Sequence, residues 1–452
     1  MFCFSLRTSF SSVSLLVAAC LLTACSSVPP MPAQAAPAAT SCPEGLPAAT
    51  RCLAGTDTEG ASYLIAMPAQ WSGVLVLHAH GGPELGVPKV DRTAEDLQRW
   101  SVMVKAGHAW AGSTYRQGGV AVRSAAEDTE RLRRIFVQHV AKPQRTLLHG
   151  QSWGASVAAK AAEMYAAPGK PPAYDAVLLS SGVLGGGTRS YDFRLDLRVV
   201  YQSLCANHPA PNEAQYPLWM GLEPGSTLTR SELARRVDDC LGLRRPEAQR
   251  SKEQQARVKT IVQVIHIPER SIQGHLNWAT WHFQDIVQRR TGGLNPFDNV
   301  GVRYSGSGDD AALNAKVLRY QADPEAVRVF GNDTDLSGRI GVPVLTVHGI
   351  NDPIAFVELE SAFRDTMAQA GTSARLVQTF TNDSEHSYLS SPVYATLVEA
   401  LLQWAGQGIK PTPEGIAKRC PQLEGTFGPG CRFLPDHHPA PLEERVAARR
   451  RN

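Results

Sequence analysis

The residues Thr146-Leu147-Leu148-His149 run without a break into Gly150-Gln151-Ser152-Trp153-Gly154, and residues 155–167 beyond them are mostly small and helix-forming. A short buried strand, a tight turn around a serine and then a helix constrain this chain more than any other stretch of it. The turn leaves no room for side chains at its flanks, so the glycines let it close. The serine at its apex is left in strained backbone geometry. A helix that begins at such a turn aims its free N–H groups at the serine and favours negative charge there. The backbone N–H of Trp153 is the first of these donors.

The rest of the chain repeats the same grammar on both sides. Residues 74–78 are apolar and β-prone and break into His80-Gly81-Gly82-Pro83. Residues 94–105 have helical spacing, 109–114 read as a strand ending at Tyr115, and 125–140 form an amphipathic helix. Another buried strand follows at 176–179. Alternation then stops, and 185–339 hold polar helical stretches with little β signal. Strand character returns at 342–347, followed by a helix at 355–370, a strand at 375–379 and a last helix at 392–404. Strands alternating with helices predict an α/β fold, with a mostly parallel central sheet, helices on both faces and a large helical cap inserted into it. The expected organisation is a leader at 1–24, a tether at 25–41, a core at 42–184 and 341–407, a cap at 185–340 and an appendage with a basic tail at 408–452.

A nucleophilic serine needs a base, and the base needs an orienting acid. After a turn of this kind the chain order is serine, acid, histidine. Asp352 follows the late strand in His348-Gly349-Ile350-Asn351-Asp352-Pro353, and His386 lies one strand further on in Asp383-Ser384-Glu385-His386. Both belong to loops after strands, where open α/β sheets place their sites. Asn351 carries no charge, Asp383 and Glu385 are too near His386 in sequence to reach it easily, and His348 reads as structural.

On the His-Gly-Gly loop, the Gly-Gln-Ser-Trp-Gly turn, the His348–Asp352 loop and the late histidine, the chain resembles the α/β-hydrolase superfamily of serine hydrolases. The resemblance covers 73–182 and 341–406 and leaves the cap and tail unmatched. It implies a triad of Ser152, Asp352 and His386, acyl-enzyme chemistry, no cofactor and no metal. It also implies an oxyanion hole built from the N–H groups of Trp153 and of Gly82 or Gly81, since Pro83 has no N–H. Tyr115 either helps bind a carbonyl or is simply packed. Trp278 and Trp281 of the cap, in a patch with His282 and Phe283, either line an acyl pocket or form the cap's own core. The implied substrate is a small carboxylic ester, or alternatively a short peptide cut by an exopeptidase of the same fold. In the second case Glu232, Asp238 or Asp239 would hold the substrate amine. A non-catalytic binding protein is a third class, disfavoured by the complete serine, acid and histidine set.

The ends bear on location. Arg7, the apolar run 13–22 and Leu22-Thr23-Ala24-Cys25 resemble a bacterial lipoprotein signal, with Cys25 lipidated and the outer membrane favoured by Ser26 in a Gram-negative host. An ordinary secretory signal with a periplasmic or extracellular product is the alternative. Beyond Cys25 six cysteines remain, and proximity pairs them as Cys42–Cys52, Cys205–Cys240 and Cys420–Cys431. Metal binding is the weaker reading, because the metal-ligand spacings are missing. A net charge of +3 offers no support for nucleic-acid binding. Arg449-Arg450-Arg451 reads as a solvated tail.

Overall fold

A computed structural model describes residues 34–166 and 171–449. The leader, Cys25, the tether up to residue 33 and residues 450–452 lie outside the described residues. Among the described residues nine strands form one sheet: β1 (Ala38–Thr40), β2 (Arg51–Thr56), β3 (Ser62–Met67), β4 (Val74–Ala79), β5 (Ala109–Ser113), β6 (Arg145–Gln151), β7 (Ala176–Ser180), β8 (Val344–Gly349) and β9 (Leu376–Thr381). Their order is β1-β2-β3-β5-β4-β6-β7-β8-β9. From β5 to β9 every pairing is parallel, while β1, β2 and β3 add an antiparallel edge.

The central strands are covered on both faces, so they read as continuous apolar runs rather than as alternating ones. On β4, Leu75 and Leu77 face a layer that holds the helices Val122–His139 and Trp153–Met164, with Ile135, Phe136 and Val157 among its buried side chains. Val74 and Val76, one residue out of phase, face the opposite layer with Trp100, Leu397 and Leu401. This is the α/β-hydrolase fold that the resemblance implies, built on the mostly parallel sheet that the alternation of strands and helices predicts.

Between β7 and β8 the described residues hold helices and no strand, and the longest are Asp192–Cys205 and Lys252–Ile265. The buried side chains of that segment form one cluster with Val120, Phe356, Leu359 and Leu442 from outside it, and in this cluster Phe283 and Phe297 stack with ring centroids 3.9 Å apart. Three disulfides join Cys42 to Cys52, Cys205 to Cys240 and Cys420 to Cys431, the pairing expected from proximity. Among the described residues no helix is long and apolar enough to cross a membrane.

Four local expectations need correction. The end of the expected tether is strand β1, where Ala38, Ala39 and Thr40 pair with Ala54, Leu53 and Cys52 beside the first disulfide. The exposed edge strand has no apolar pattern of its own, and its backbone bonds come from the neighbour. The helix expected at 94–105 is two helices, Asp91–Arg99 and Val102–Lys105, interrupted where Trp100 turns fully inward against His78, His149 and Tyr394. The helix expected from 355 starts only at Leu359, because the preceding residues wrap around Asp352. Finally, Arg449 is no solvated residue. Its side chain is buried and pairs with Asp196 and Asp192 of the cap helix Asp192–Cys205. Those two carboxylates, taken out of water, need a cation, and nothing in a run of arginines announces which one they will take.

Candidate active site

Ser152 stands between the end of β6 and the helix Trp153–Met164 with φ 56° and ψ −123°, a backbone region that L-residues rarely adopt. The flanking glycines are there because nothing else fits. A Cβ on Gly154 would stand 2.1 Å from the Ala79 carbonyl oxygen and 2.4 Å from that of His80. On Gly150 it would stand 2.3 Å from the Gly154 carbonyl oxygen. The serine backbone is held by Ser152 N–H donating to Ser180 O at 2.9 Å and Val183 N–H donating to Ser152 O at 3.1 Å.

Three loops at the carboxyl ends of parallel strands converge on this turn. Asp352 follows β8, His386 follows β9 and the His80-Gly81-Gly82-Pro83 loop follows β4. His386 Nε2 lies 2.7 Å from Ser152 Oγ, and its Nδ1 lies 2.7 Å from Asp352 Oδ2. The other Asp352 oxygen, Oδ1, accepts from the N–H groups of Ile354 at 2.8 Å and Ala355 at 3.0 Å. Burial alone would raise the Asp352 pKa, but the charge of His386 and hydrogen bonds from His348 and His386 outweigh it and hold the carboxyl well below its ordinary range. An ionised Asp352 only accepts, so Nδ1 of His386 carries the proton and Nε2 is free to accept from the Ser152 hydroxyl.

The decoys are accounted for. Asp383 pairs with Arg432 at 2.8 Å, Glu385 is exposed, and Asn351 is exposed with its N–H bonded to Asp383 O. His348 is buried with Nδ1 3.2 Å from Glu360 Oε1 and Nε2 2.9 Å from Ala355 O. Both ring nitrogens face acceptors, so both must donate. Burial disfavours this imidazolium, yet the carboxylates of Asp352, 3.6 Å from Nε2, and of Glu360 raise its pKa to about 10.

A cavity of about 750 Å³ opens over Ser152, and its lining includes Gly81, Gly82, Trp153 and His386. Trp153 opens its helix, so its N–H has no partner within it. Gly82 has φ +70°, and the space where a Cβ would stand is open, whereas a Cβ on Gly81 would stand 2.2 Å from Gln151 Oε1. Trp278 lines the cavity; Tyr115 and Trp281 do not. Tyr115 lies in the core layer, stacked on His80 at 4.3 Å. Trp281 packs against the cap core under Arg230. The acids considered for an amine site are elsewhere: Glu232 and Asp239 pair with Arg236 and Arg235, and Asp238 accepts from Arg244 N–H. None of the three lines the Ser152 cavity.

Sequence reasoning missed how the cap grips the site. One turn of π-helix, Trp278–His282, stacks His282 on Trp278 at 4.7 Å and brings His282 Nε2 2.9 Å from Pro83 O in the glycine loop. His275 Nε2 lies 3.0 Å from Pro353 O beside the acid, and Arg270 Nη2 donates to Ser384 O near His386 at 2.9 Å. Burial lowers the pKa of both His275 and His282 to about 3, so each is neutral and donates through Nε2 to its carbonyl. From the turn itself, Gln151 Nε2 donates to Ser387 Oγ at 2.8 Å, next to His386. No spacing rule links these partners, because each pair joins distant segments.

No protein-family model matches the chain, and no curated protein matches it. Solved structures similar to it include feruloyl esterase B from Aspergillus oryzae, with 15% identity over 80% of this chain and 82% of that one at a TM-score of 0.43. The rice cell wall degrading esterase LipA from Xanthomonas oryzae has 14% identity over 74% and 83%, with a TM-score of 0.35. A puromycin-hydrolyzing peptidase from Mycobacterium tuberculosis has 13% identity over 79% of this chain and 39% of that one, also at 0.35. The fold is read from the strand order of the chain's own sheet.

Proposed function

We propose that this protein is a serine hydrolase that cleaves carboxylic esters through an acyl-enzyme. The observation that carries the reading is the continuous path from Ser152 Oγ through His386 to Asp352, each step 2.7 Å long, at the floor of a cavity. Ser152 Oγ attacks the ester carbonyl while its proton passes to His386 Nε2. The oxyanion is met by the N–H groups of Trp153 and Gly82, and the resulting imidazolium is stabilised by Asp352. His386 then gives the proton to the departing alkoxide, so the C–O bond breaks and the alcohol leaves. Water, activated by the same imidazole, releases the acid and restores Ser152.

Esters are favoured over peptides because Glu232, Asp238 and Asp239 are absent from the cavity lining, and the acids it does contain, Glu84, Asp91 and Glu95, are exposed. The experiment is a panel of 4-nitrophenyl esters and aminoacyl anilides, with a fluorophosphonate label located by mass spectrometry. Label on Ser152 and ester turnover lost in Ser152→Ala are expected. Anilide cleavage without ester cleavage would favour the peptidase, and label elsewhere would remove the mechanism. Asp352→Asn should slow turnover about 10⁴-fold by leaving the wrong tautomer, while Asp383→Asn leaves it near wild type.

Three disulfides fit maturation outside the reducing cytosol. The proposed route is the lipoprotein signal with Cys25. Feeding cells a clickable fatty acid should tag the wild type and not Cys25→Ala; equal tagging would refute it.

A further inference from the structure

The cavity over Ser152 contains a charge that the mechanism above does not use. Arg194 lies on the cap helix Asp192–Cys205 and lines the cavity. The other permanently charged residues of the lining are exposed, as Glu84, Lys89 and Arg230 are, or, like Arg92, half-buried and paired with acids. Arg194 is only 5% exposed. Among the described residues it has no ion pair. Its side chain makes one hydrogen bond, a long one of 3.5 Å from Nη1 to Ser190 O, and its Nε is buried without a partner.

A buried charge of this kind is costly unless something compensates it. Aromatic faces do part of this: the guanidinium sits 4.3 Å from the Trp278 ring centroid, 4.6 Å from Phe193 and 5.4 Å from Tyr191. Rings stabilise the cation through its flat faces. They do not accept from its in-plane N–H groups, which form a fork matched to a carboxylate. Arg198, one turn further along the helix, shows the contrast. It is equally buried and its Nε also lacks a partner, but its two Nη groups are held by Thr280 Oγ1 at 3.1 Å and by the carbonyls of His208 and Gly221 at 3.4 Å. Arg194 has the cage without the fork's partner, and it has it in the wall of the cavity that holds Ser152.

We infer that the ester taken by this site carries a carboxylate, and that Arg194 pairs with it. The inference rests on the ester-hydrolase reading and adds the substrate class. A carboxylate on the acyl side would make the substrate a half-ester of a dicarboxylic acid; on the alcohol side, an ester of a hydroxy acid or carboxyphenol. Burial without an acid partner pulls Arg194 down to about 9, so the free site stays cationic at neutral pH and an arriving anion strengthens that charge.

The test uses two matched pairs: mono-4-nitrophenyl adipate with its methyl ester, and 4-(butyryloxy)benzoate with its methyl ester. For wild type, one acid should exceed its neutral partner in kcat/KM by about 10- to 100-fold, the range of a charge-assisted hydrogen bond. Which pair responds tells whether the carboxylate belongs to the acyl or the alcohol side. In Arg194→Met that preference should vanish, because the acid loses far more kcat/KM than its methyl ester does. The variant should fold, because an apolar side chain replaces an unpaired buried charge, and its melting temperature should equal or exceed wild type. Equal rates on acid and methyl ester in wild type, or a preference that survives Arg194→Met, would overturn the inference while leaving the hydrolase reading intact. Should wild type cleave none of the four, adipate and 4-hydroxybenzoate are titrated by calorimetry. Binding to wild type and not to Arg194→Met would then support the anion site and sink the esterase; no binding would sink both.

Discussion

The strain at Ser152 is local and separable from the chemistry. Its φ of 56° costs a residue with a Cβ about 1–3 kcal/mol, which glycine escapes. Ser152→Gly and Ser152→Ala both remove the hydroxyl, so any difference between them reports the backbone. The glycine variant should melt higher than the alanine variant while both are inactive; an alanine variant as stable as the glycine one would show that the turn is relaxed. His348 makes a second prediction, in pH. Its folded pKa of about 10 lies above the ordinary 6.5, so it adds stability fully present below 6.5 and progressively lost up to about 10. Urea midpoints should fall across that interval. Glu360→Gln removes one of the two carboxylates that raise it, so the fall should be complete at lower pH; a profile unchanged by Glu360→Gln would place the proton elsewhere.

At the scale of elements, the cap touches each of the three loops that carry the site: His282 at the glycine loop, His275 at the acid loop and Arg270 at the histidine loop. These are single hydrogen bonds, each worth about 0.5–1.5 kcal/mol. Their effect on rate exceeds their effect on stability if they hold Ser152, His386 and Asp352 in register for the proposed chemistry. His282→Phe keeps a ring to stack on Trp278 and loses only the bond to Pro83 O. It should lower kcat/KM about 10-fold with little change in melting temperature. A loss of stability without loss of rate would reduce the contact to packing. The element that bears Arg194 is tied down twice, by Cys205–Cys240 at its end and by Arg449 on Asp192 and Asp196.

Taken as a whole molecule, the chain returns to its cap at the end. Arg449 reaches back to a helix more than two hundred residues earlier in sequence, and Arg445 pairs with Glu358 beside the acid loop. Arg449→Ala should therefore cost about 3–5 kcal/mol, because the Asp196 carboxylate would be left buried without its cation. Chemical denaturation measures this, and a cost near zero would mean the tail end is not seated. The parallel sheet, the turn at Ser152 and the order of serine, acid and histidine were legible in the chain, because each depends on periodicity or on neighbours a few residues apart. Gly150 and Gly154 announce a turn whose closure only glycine allows. Proximity likewise sufficed for the three disulfides. What the sequence by itself did not determine lies in long-range pairing: the edge strand β1, the burial of Arg449, the grip of His275 and His282, and the missing partner of Arg194. Those depend on which distant groups are brought together and deprived of water. Burial of that kind belongs to the folded chain, and only the tertiary structure decided which charges would be satisfied from within and which one would be left facing the cavity.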